Sequence, residues 1–447
     1  MSSDVAARAS LAFSLAFHIV FAALGIGLPL MFCIAEGIGL RRRDATWYAL
    51  ARRWSKAAGI LLVVGAVSGT ALSFEFGLLW PRFMAFGSRI FGLMFTLEGF
   101  CFFLEAIFLG LYLYGWDRLS PGVHWLCSLP VVIASALASQ FILAVNSWMN
   151  TPTGFQLANG KAVNINPWAA MFNPMAPSQA LHMLIAAYQV TGFAIAAVYA
   201  AGMLRRRTDA YHRKGALLGM FVAAVMIVPQ AIAGSWIGEA LARNQPEKLA
   251  AIEGLFQTTA GAPLALFGWV DTTTGQVYFA VTIPKLLSFL SFNHFDATVT
   301  GLDSFPQGTW PSAAVTPIAH LAFDTMATLG GLFLLVPLVF WIGYFRQHRT
   351  VPTARWLLWV LLITGPLTFV ALEAGWVAAE LGRQPWIIYN IMLVSNGVTT
   401  NGGIAYFFFV FLAIYIALGM ATIGLLRRLA HEDKTFVTKD KMTGNTE

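Results

Sequence analysis

The stretch Thr96–Gly110, "TLEGFCFFLEAIFLG", decides how the chain folds. It is apolar almost throughout, yet it carries two carboxylates, Glu98 and Glu105. Seven residues is close to two helical turns, so in a helix both acids share one face, ~10 Å apart along the axis. The apolar run extends from Phe91 to Gly115, long enough to cross a ~30 Å hydrocarbon layer. Burying an ionised carboxylate at that depth costs several kcal/mol, so this reads as a membrane helix whose acids are there for use.

Eight more stretches share that character. Hydrophobic residues make up 58% of the 447 and charged residues 11%, and the mean hydropathy is +0.68. Such a composition excludes an ordinary soluble domain and predicts an all-α integral membrane protein. The nine predicted spans run Leu11–Leu40, Ala57–Leu79, Phe91–Gly115, Pro121–Val145, Gln179–Leu204, Gly215–Ile237, Ala313–Phe345, Trp356–Leu381 and Gly403–Leu426. The first is too long for a signal-peptide core and only Arg8 precedes it, so it reads as a retained span.

Charge sets the orientation. "RRRDATWYALARR", "RRRTDAYHRK" and "RRLAHEDK" hold most of the Lys and Arg and follow odd-numbered spans. Basic connections stay cytoplasmic, which predicts an N-terminus outside (periplasmic), a C-terminus in the cytoplasm and an odd number of spans. The net charge of +7 is therefore a topology signal and implies no nucleic-acid partner. Cys33, Cys101 and Cys127 all fall within spans and form no CxxC, so they read as small apolar residues.

No internal repeat interrupts what reads as a single polytopic domain, 1–447. Membrane character breaks once at length, over 239–311 on the outer side, where "EALARNQPEKLAAIEGLFQTTAGAPLALFG" predicts a short amphipathic helix followed by a Gly/Pro-punctuated loop. A loop this long is usually functional, and its apolar content argues against disorder. Asn146–Pro177, with "NSWMNTPTGFQ", reads as a structured cap.

Of eight histidines, His18, His182 and His320 are read as intramembrane. A lone buried histidine is more often a hydrogen-bonded core residue than a ligand, but His18 and His182 lie at similar outer depth, and imidazole is the usual axial ligand of haem iron. Met326, in "AHLAFDTMATLGG", has small neighbours that would admit a flat macrocycle or, equally, a second helix. "EAGWVAAELGRQPW" (Glu373–Trp386) is the most specific stretch. Glu380 closes span 8, Gly382 can stop the helix, and Arg383 offers a fork for a carboxylate or a haem propionate. Pro385 and Trp386 stiffen and anchor the turn.

"GWVAAE" with "GRQPW", "LEGF" with "FFLEAIFLGLYLYGWDRL", "NSWMNTP" and "KLAAIE" together resemble subunit I of the cytochrome bd-type quinol oxidases. The resemblance covers most of the chain and the order of its nine spans. It implies that His182 and Met326 are the axial ligands of a low-spin haem b. It also implies that His18 and Glu380 ligate the two high-spin haems, a haem b and a haem d or third b-type haem. Lys248 and Glu253 match the quinol site, Trp376 an aromatic residue beside the haems, and Arg383, with Gln384 and Trp386, the propionate end. Glu98 and Glu105 match the acids of a proton path to the oxygen site. The implied activity is quinol oxidation, of ubiquinol or menaquinol, coupled electrogenically to reduction of dioxygen in the bacterial inner membrane. The implied partners are a membrane subunit II and a small single-span subunit.

The "KLAAIE" loop lacks the long insertion of some members, and Asp324 stands where better-known members carry arginine. Both features resemble the cyanide-insensitive branch, and an acid there is expected to lower the low-spin potential. Three rivals fit less well. A haem–copper oxidase needs about six intramembrane histidines, including an adjacent pair, and the chain has no His-His. An electron-relay b-type cytochrome with two bis-histidine haems needs four such histidines on two helices. A proton-coupled transporter using Glu98 and Glu105 usually shows repeated halves.

Overall fold

The computed structural model describes residues 3–399, 401 and 403–431. Among these residues, nine helices are long and apolar enough to cross a membrane. They are span 1 (Val5–Arg42), span 2 (Ala45–Leu79), span 3 (Pro81–Gly115), span 4 (Pro121–Asn150), span 5 (Ala176–Leu204), span 6 (Ala210–Asn244), span 7 (Val315–Arg346), span 8 (Arg355–Leu381) and span 9 (Tyr406–His431).

Most spans outrun the apolar stretches that predicted them, because a helix ends at a cap or a breaker and not at the edge of its hydrophobic zone. Span 2 begins at Ala45, where the Asp44 carboxylate accepts from Thr46 N at 2.9 Å. Its added turns bury Trp47, Leu50 and Trp54. Span 6 begins where Asp209 accepts from His212 N at 3.1 Å. It runs through Asn244, so the first residues of the expected outer segment are helical until Gln245-Pro246 stops them.

The spans form two four-helix groups. Spans 1–4 pack in a ring (1 on 2, 2 on 3, 3 on 4, 4 on 1), and spans 5–8 repeat the pattern, with span 8 closing onto span 5. Span 5 joins the groups through spans 1 and 4, and span 9 lies against spans 1 and 2. In hydrocarbon, helices associate through close packing, which small residues permit. Spans 5 and 6 cross where a Cβ at Gly192 would lie 2.8 Å from Gly219 O, and one at Gly219 2.6 Å from Gly192 O.

The bundle has two unlike ends. Short basic connections, with Arg41, Arg42 and Arg43 before span 2 and Arg205, Arg206 and Arg207 before span 6, mark the basic face. The opposite loop face carries the connections 151–175, 245–314 and 382–399. There the hairpin Gln156–Ala158/Lys161–Val163 and the helix Pro167–Met171 form the expected cap after span 4. The longest connection opens with the helix Pro246–Glu253, buried from Glu247 to Glu253 against spans 6 and 7. Three two-stranded pairings follow it.

Candidate functional site

His182 and Met326 sit on spans 5 and 7, diagonal members of the second four-helix group. His182 Nε2 lies 3.2 Å from Gln230 Nε2 on span 6, and Gly234 one turn on leaves room beside the ring. His182 Nδ1 is buried with no hydrogen-bond partner. Met326 rests its sulfur on span 8, where a Cβ at Gly375 would come within 2.8 Å of Sδ.

His18, on span 1, belongs to the first group. Its Nδ1 is 2.9 Å from Ser68 Oγ on span 2, and Ser68 itself donates to Val64 O at 2.8 Å. Since that hydroxyl proton is committed, Nδ1–H donates to Ser68, and Nε2 keeps its lone pair for a ligand. Trp376 packs at the junction of spans 1, 5 and 8 with Leu15, Ile19 and Met183, between the His18 and His182 regions.

The third cluster closes the loop face. Glu380 Oε1 accepts from Asn146 Nδ2 at 2.7 Å, and Oε2 pairs with Arg383 Nη2. Arg383 is buried, and its Nε and Nη1 have no partner. Gln384 accepts from Arg8 at 3.4 Å, and Trp386 begins the strand pairing Trp386–Ile388 with Met392–Leu393. The helix Pro246–Glu253 docks here because position 382 is glycine: a Cβ would meet Ile252 Cγ2 at 2.8 Å and Lys248 Cγ at 3.3 Å. Lys248, fully buried, reaches Asn150 Oδ1 at 3.3 Å. Burial, then the Arg383 charge, lowers its pKa to about 7, against an opposing pull from Glu380. At the far end of this helix, burial and the Asp324 carboxylate push Glu253 up to about 8. His320 Nδ1 lies 2.7 Å from Ile252 O and its Nε2 3.3 Å from Asp324 Oδ2, while Phe267 N donates to Asp324 at 2.7 Å.

Lys248, Glu253, Glu380, Arg383 and Gln384 thus share one corner, and His182 and Met326 share one helix group. Glu98 and Glu105 join neither; they lie on span 3, in the first group with His18. Several polar residues inside the spans escaped the sequence reading. Glu75 on span 2, which accepts from Ser14 at 2.6 Å, and Glu373 on span 8 were signalled only by being acids inside spans. His124 also lies within a span, contrary to the expectation of three intramembrane histidines, and is buried beside Glu36. Ser68 and Gln230 gave no signal, because their value lies in a partner on another helix.

These residues fit haem. His182 presents an unpartnered buried nitrogen, Arg383 two unpartnered guanidinium nitrogens, and Gly375 and Gly234 keep the flanks of Met326 and His182 bare.

A helical bundle with half-buried imidazole, thioether and carboxyl donors between its helices is the build of a membrane redox protein that holds its cofactors there. The family model for "Cytochrome bd terminal oxidase subunit I" matches residues 6–434. The chain belongs to that family. It is 38% identical over 432 residues (95% of this chain, 96% of the relative) to "Putative cytochrome bd menaquinol oxidase subunit I" of Bacillus subtilis (strain 168). It is 28% identical over 438 residues (96% and 93%) to "Cytochrome bd ubiquinol oxidase subunit 1" of the same organism. The solved bd oxidase of Geobacillus thermodenitrificans superposes with a TM-score of 0.90 at 39% identity, covering 96% of this chain and 98% of its own. Membership makes this chain a multi-helix subunit of a bacterial inner-membrane quinol oxidase, a haem protein that works with subunit II, quinol and oxygen. The transporter and haem–copper readings fall with it.

Proposed function

We propose that this chain oxidises quinol at the loop face, beside the helix Pro246–Glu253, and takes up the protons for oxygen reduction from the basic face. What supports the reading is one docking contact: a buried eight-residue helix presses Lys248 and Ile252 against Gly382, next to Glu380 and Arg383, and ends on the buried Glu253. Quinol oxidation releases two protons and two electrons. Glu253, partly ionised near neutral pH, is a base positioned to accept one of those protons, and the Lys248 ammonium is a donor for a quinone oxygen. His182 and Met326 would hold the low-spin haem, His18 and Glu380 the high-spin haems, and Arg383 a propionate. Bound haem iron supplies electron relay between the quinol and the site of oxygen reduction. The positive-inside rule assigns the basic face to the cytoplasm. Release on one side and uptake on the other separate charge, which makes the reaction electrogenic. The quinol is menaquinol or ubiquinol; the 38%-identical relative is named for the former and the 28%-identical one for the latter. The third haem is d or b, and a small single-span subunit completes the complex.

The test uses the purified complex. Glu253→Ala lowers quinol-driven oxygen uptake by on the order of 10²-fold, as loss of a general base does, and leaves electron entry from an artificial reductant nearly intact. In the wild type, quinol turnover rises as the pH climbs toward 8, because the Glu253 carboxylate ionises through that range. In Glu253→Gln that limb flattens. Equal loss with both donors, or an unchanged pH profile, removes Glu253 from quinol chemistry.

A further inference from the structure

The heptad that aligns Glu98 and Glu105 continues one step further along span 3, to Tyr112. There it meets a buried polar cluster joining spans 1, 3 and 4. Glu36 and His124 are 1% exposed and Tyr112 is 0%. The Tyr112 hydroxyl donates to Glu36 Oε2 at 2.6 Å. His124 Nδ1 lies 2.6 Å from Glu36 Oε1, and His124 Nε2 lies 2.9 Å from the Tyr112 backbone oxygen. A carbonyl only accepts, so Nε2 carries hydrogen. The Nδ1–Oε1 contact then holds a single proton, which sits either on the imidazole or on the carboxyl. Neutral amides would tie the same three helices without the cost of burying an ion pair. An ionisable pair is what a proton store requires.

The cluster has an entrance. Trp116 packs against His124 with ring centroids 4.2 Å apart, and the Arg52 guanidinium lies 5.8 Å from the Trp116 ring centroid. Arg52 also pairs at 3.5 Å with Asp117, whose side chain is 76% exposed on the basic face. One aromatic layer therefore separates the pair from water. Cys33, Cys127 and Tyr48 are the other titratable groups close enough to feel the Glu36 charge.

The cluster also has a way onward. Buried Leu109 occupies the span 3 stripe between Tyr112 and Glu105, so a polar route past it must come from a neighbour. Span 4 packs antiparallel on span 3 and carries His124, Ser128, Ser135 and Ser139 on one face. Each serine donates to its own helix, to Trp125 O at 2.6 Å, Val132 O at 3.1 Å and Ala136 O at 2.7 Å, which leaves its oxygen to accept, as Ser139 does from Gln140 Nε2 at 3.2 Å. Antiparallel helices advance in step, so a register with His124 beside Tyr112 sets Ser128 and Ser135 about one turn to either side of Glu105 and Ser139 near the level of Glu98.

We propose that the Glu36–His124 pair, oriented by Tyr112, is the loading station through which protons from the basic face enter the lane along spans 3 and 4 to Glu105 and Glu98. This rests on the reading above that oxygen reduction draws its protons past those two acids. The step is a proton transfer alone. Water at the basic face gives up a proton, the pair holds it, and the Glu105 carboxylate receives it.

The test uses the complete two-subunit oxidase in liposomes, reduced and mixed with oxygen, with a pH-indicator dye on the basic-face side. Glu36→Gln keeps the visible spectrum and the rate of oxygen binding, while proton uptake and steady turnover slow together by about tenfold or more with an enlarged solvent deuterium effect. Tyr112→Phe, which removes only the orienting hydroxyl, slows the same phase less. Wild-type proton uptake in Glu36→Gln overturns the proposal. So does loss of the haem spectrum along with activity in both variants, which would make the cluster a helix clamp. Wild-type enzyme that takes up no protons on meeting oxygen would instead sink the underlying oxidase reading.

Discussion

At the scale of single residues, what matters is the freedom left to a donor atom. Met326 Sδ lies over Gly375, and a Cβ there would approach it to 2.8 Å, closer than real Cβ atoms come. Gly375→Ala therefore forces the thioether aside. The expected outcome is a shifted or weakened low-spin band in the reduced spectrum, with carbon monoxide binding at the high-spin site retained. Met326→Leu, which removes the sulfur, abolishes that band. A low-spin band unchanged in Met326→Leu would mean that the sixth ligand is another residue. His18, His182, Met326 and Glu380 stood out as candidates through the family motifs around them, since a lone histidine or methionine inside an apolar run more often packs than ligates. Their supports did not. Ser68 looks like any serine in a membrane helix until span 2 brings it 2.9 Å from His18 Nδ1. Asn146 was visible within "NSWMNTP", but its hold on Glu380 spans 234 positions of sequence.

At the scale of elements, the helix Pro246–Glu253 shows how a short segment is held without a membrane around it. Proline occupies its first turn, and Gly254 closes it with φ +65°. Leu255 N donates to Ala250 O at 2.9 Å, the six-to-one bond of a Schellman cap. Alanine at 254 would take on left-handed strain of ~1 kcal/mol and would press a Cβ to 2.8 Å from Val277 Cγ2. Gly254→Ala is accordingly expected to raise the quinol KM several-fold while the haem spectra stay unchanged, read by oxygen uptake against quinol concentration. Altered spectra would mean that the helix braces the haem sites as well. The amphipathic pattern of this helix was plain in "PEKLAAIE", whereas the ends of the long spans were not. Span 2 starts twelve residues before its apolar zone because Asp44 caps it, and a hydropathy window is blind to a cap.

At the scale of the whole molecule, the sequence carries the count and order of the spans but not their grouping. Apolar length identifies each helix separately, whereas the two four-helix rings depend on which small residues meet, as Gly192 and Gly219 do. The same separation governs direction. Arginine clusters distinguish one rim from the other, and only the membrane's preference for basic connections on the cytoplasmic side turns that difference into a vector. The vector matters, since quinol oxidation and proton uptake must face opposite compartments for charge to be separated. Thr273, in the long loop, and Arg207, between spans 5 and 6, are both exposed and serve as reporters. Native Cys33 and Cys101 are buried and Cys127 is half-buried within a span, so background labelling is low. In intact spheroplasts a membrane-impermeant maleimide should label Thr273→Cys at once, and Arg207→Cys only after the membrane is opened. The reverse pattern would put the helix Pro246–Glu253 on the cytoplasmic side, and the proposed uptake and release would then no longer add to the membrane potential.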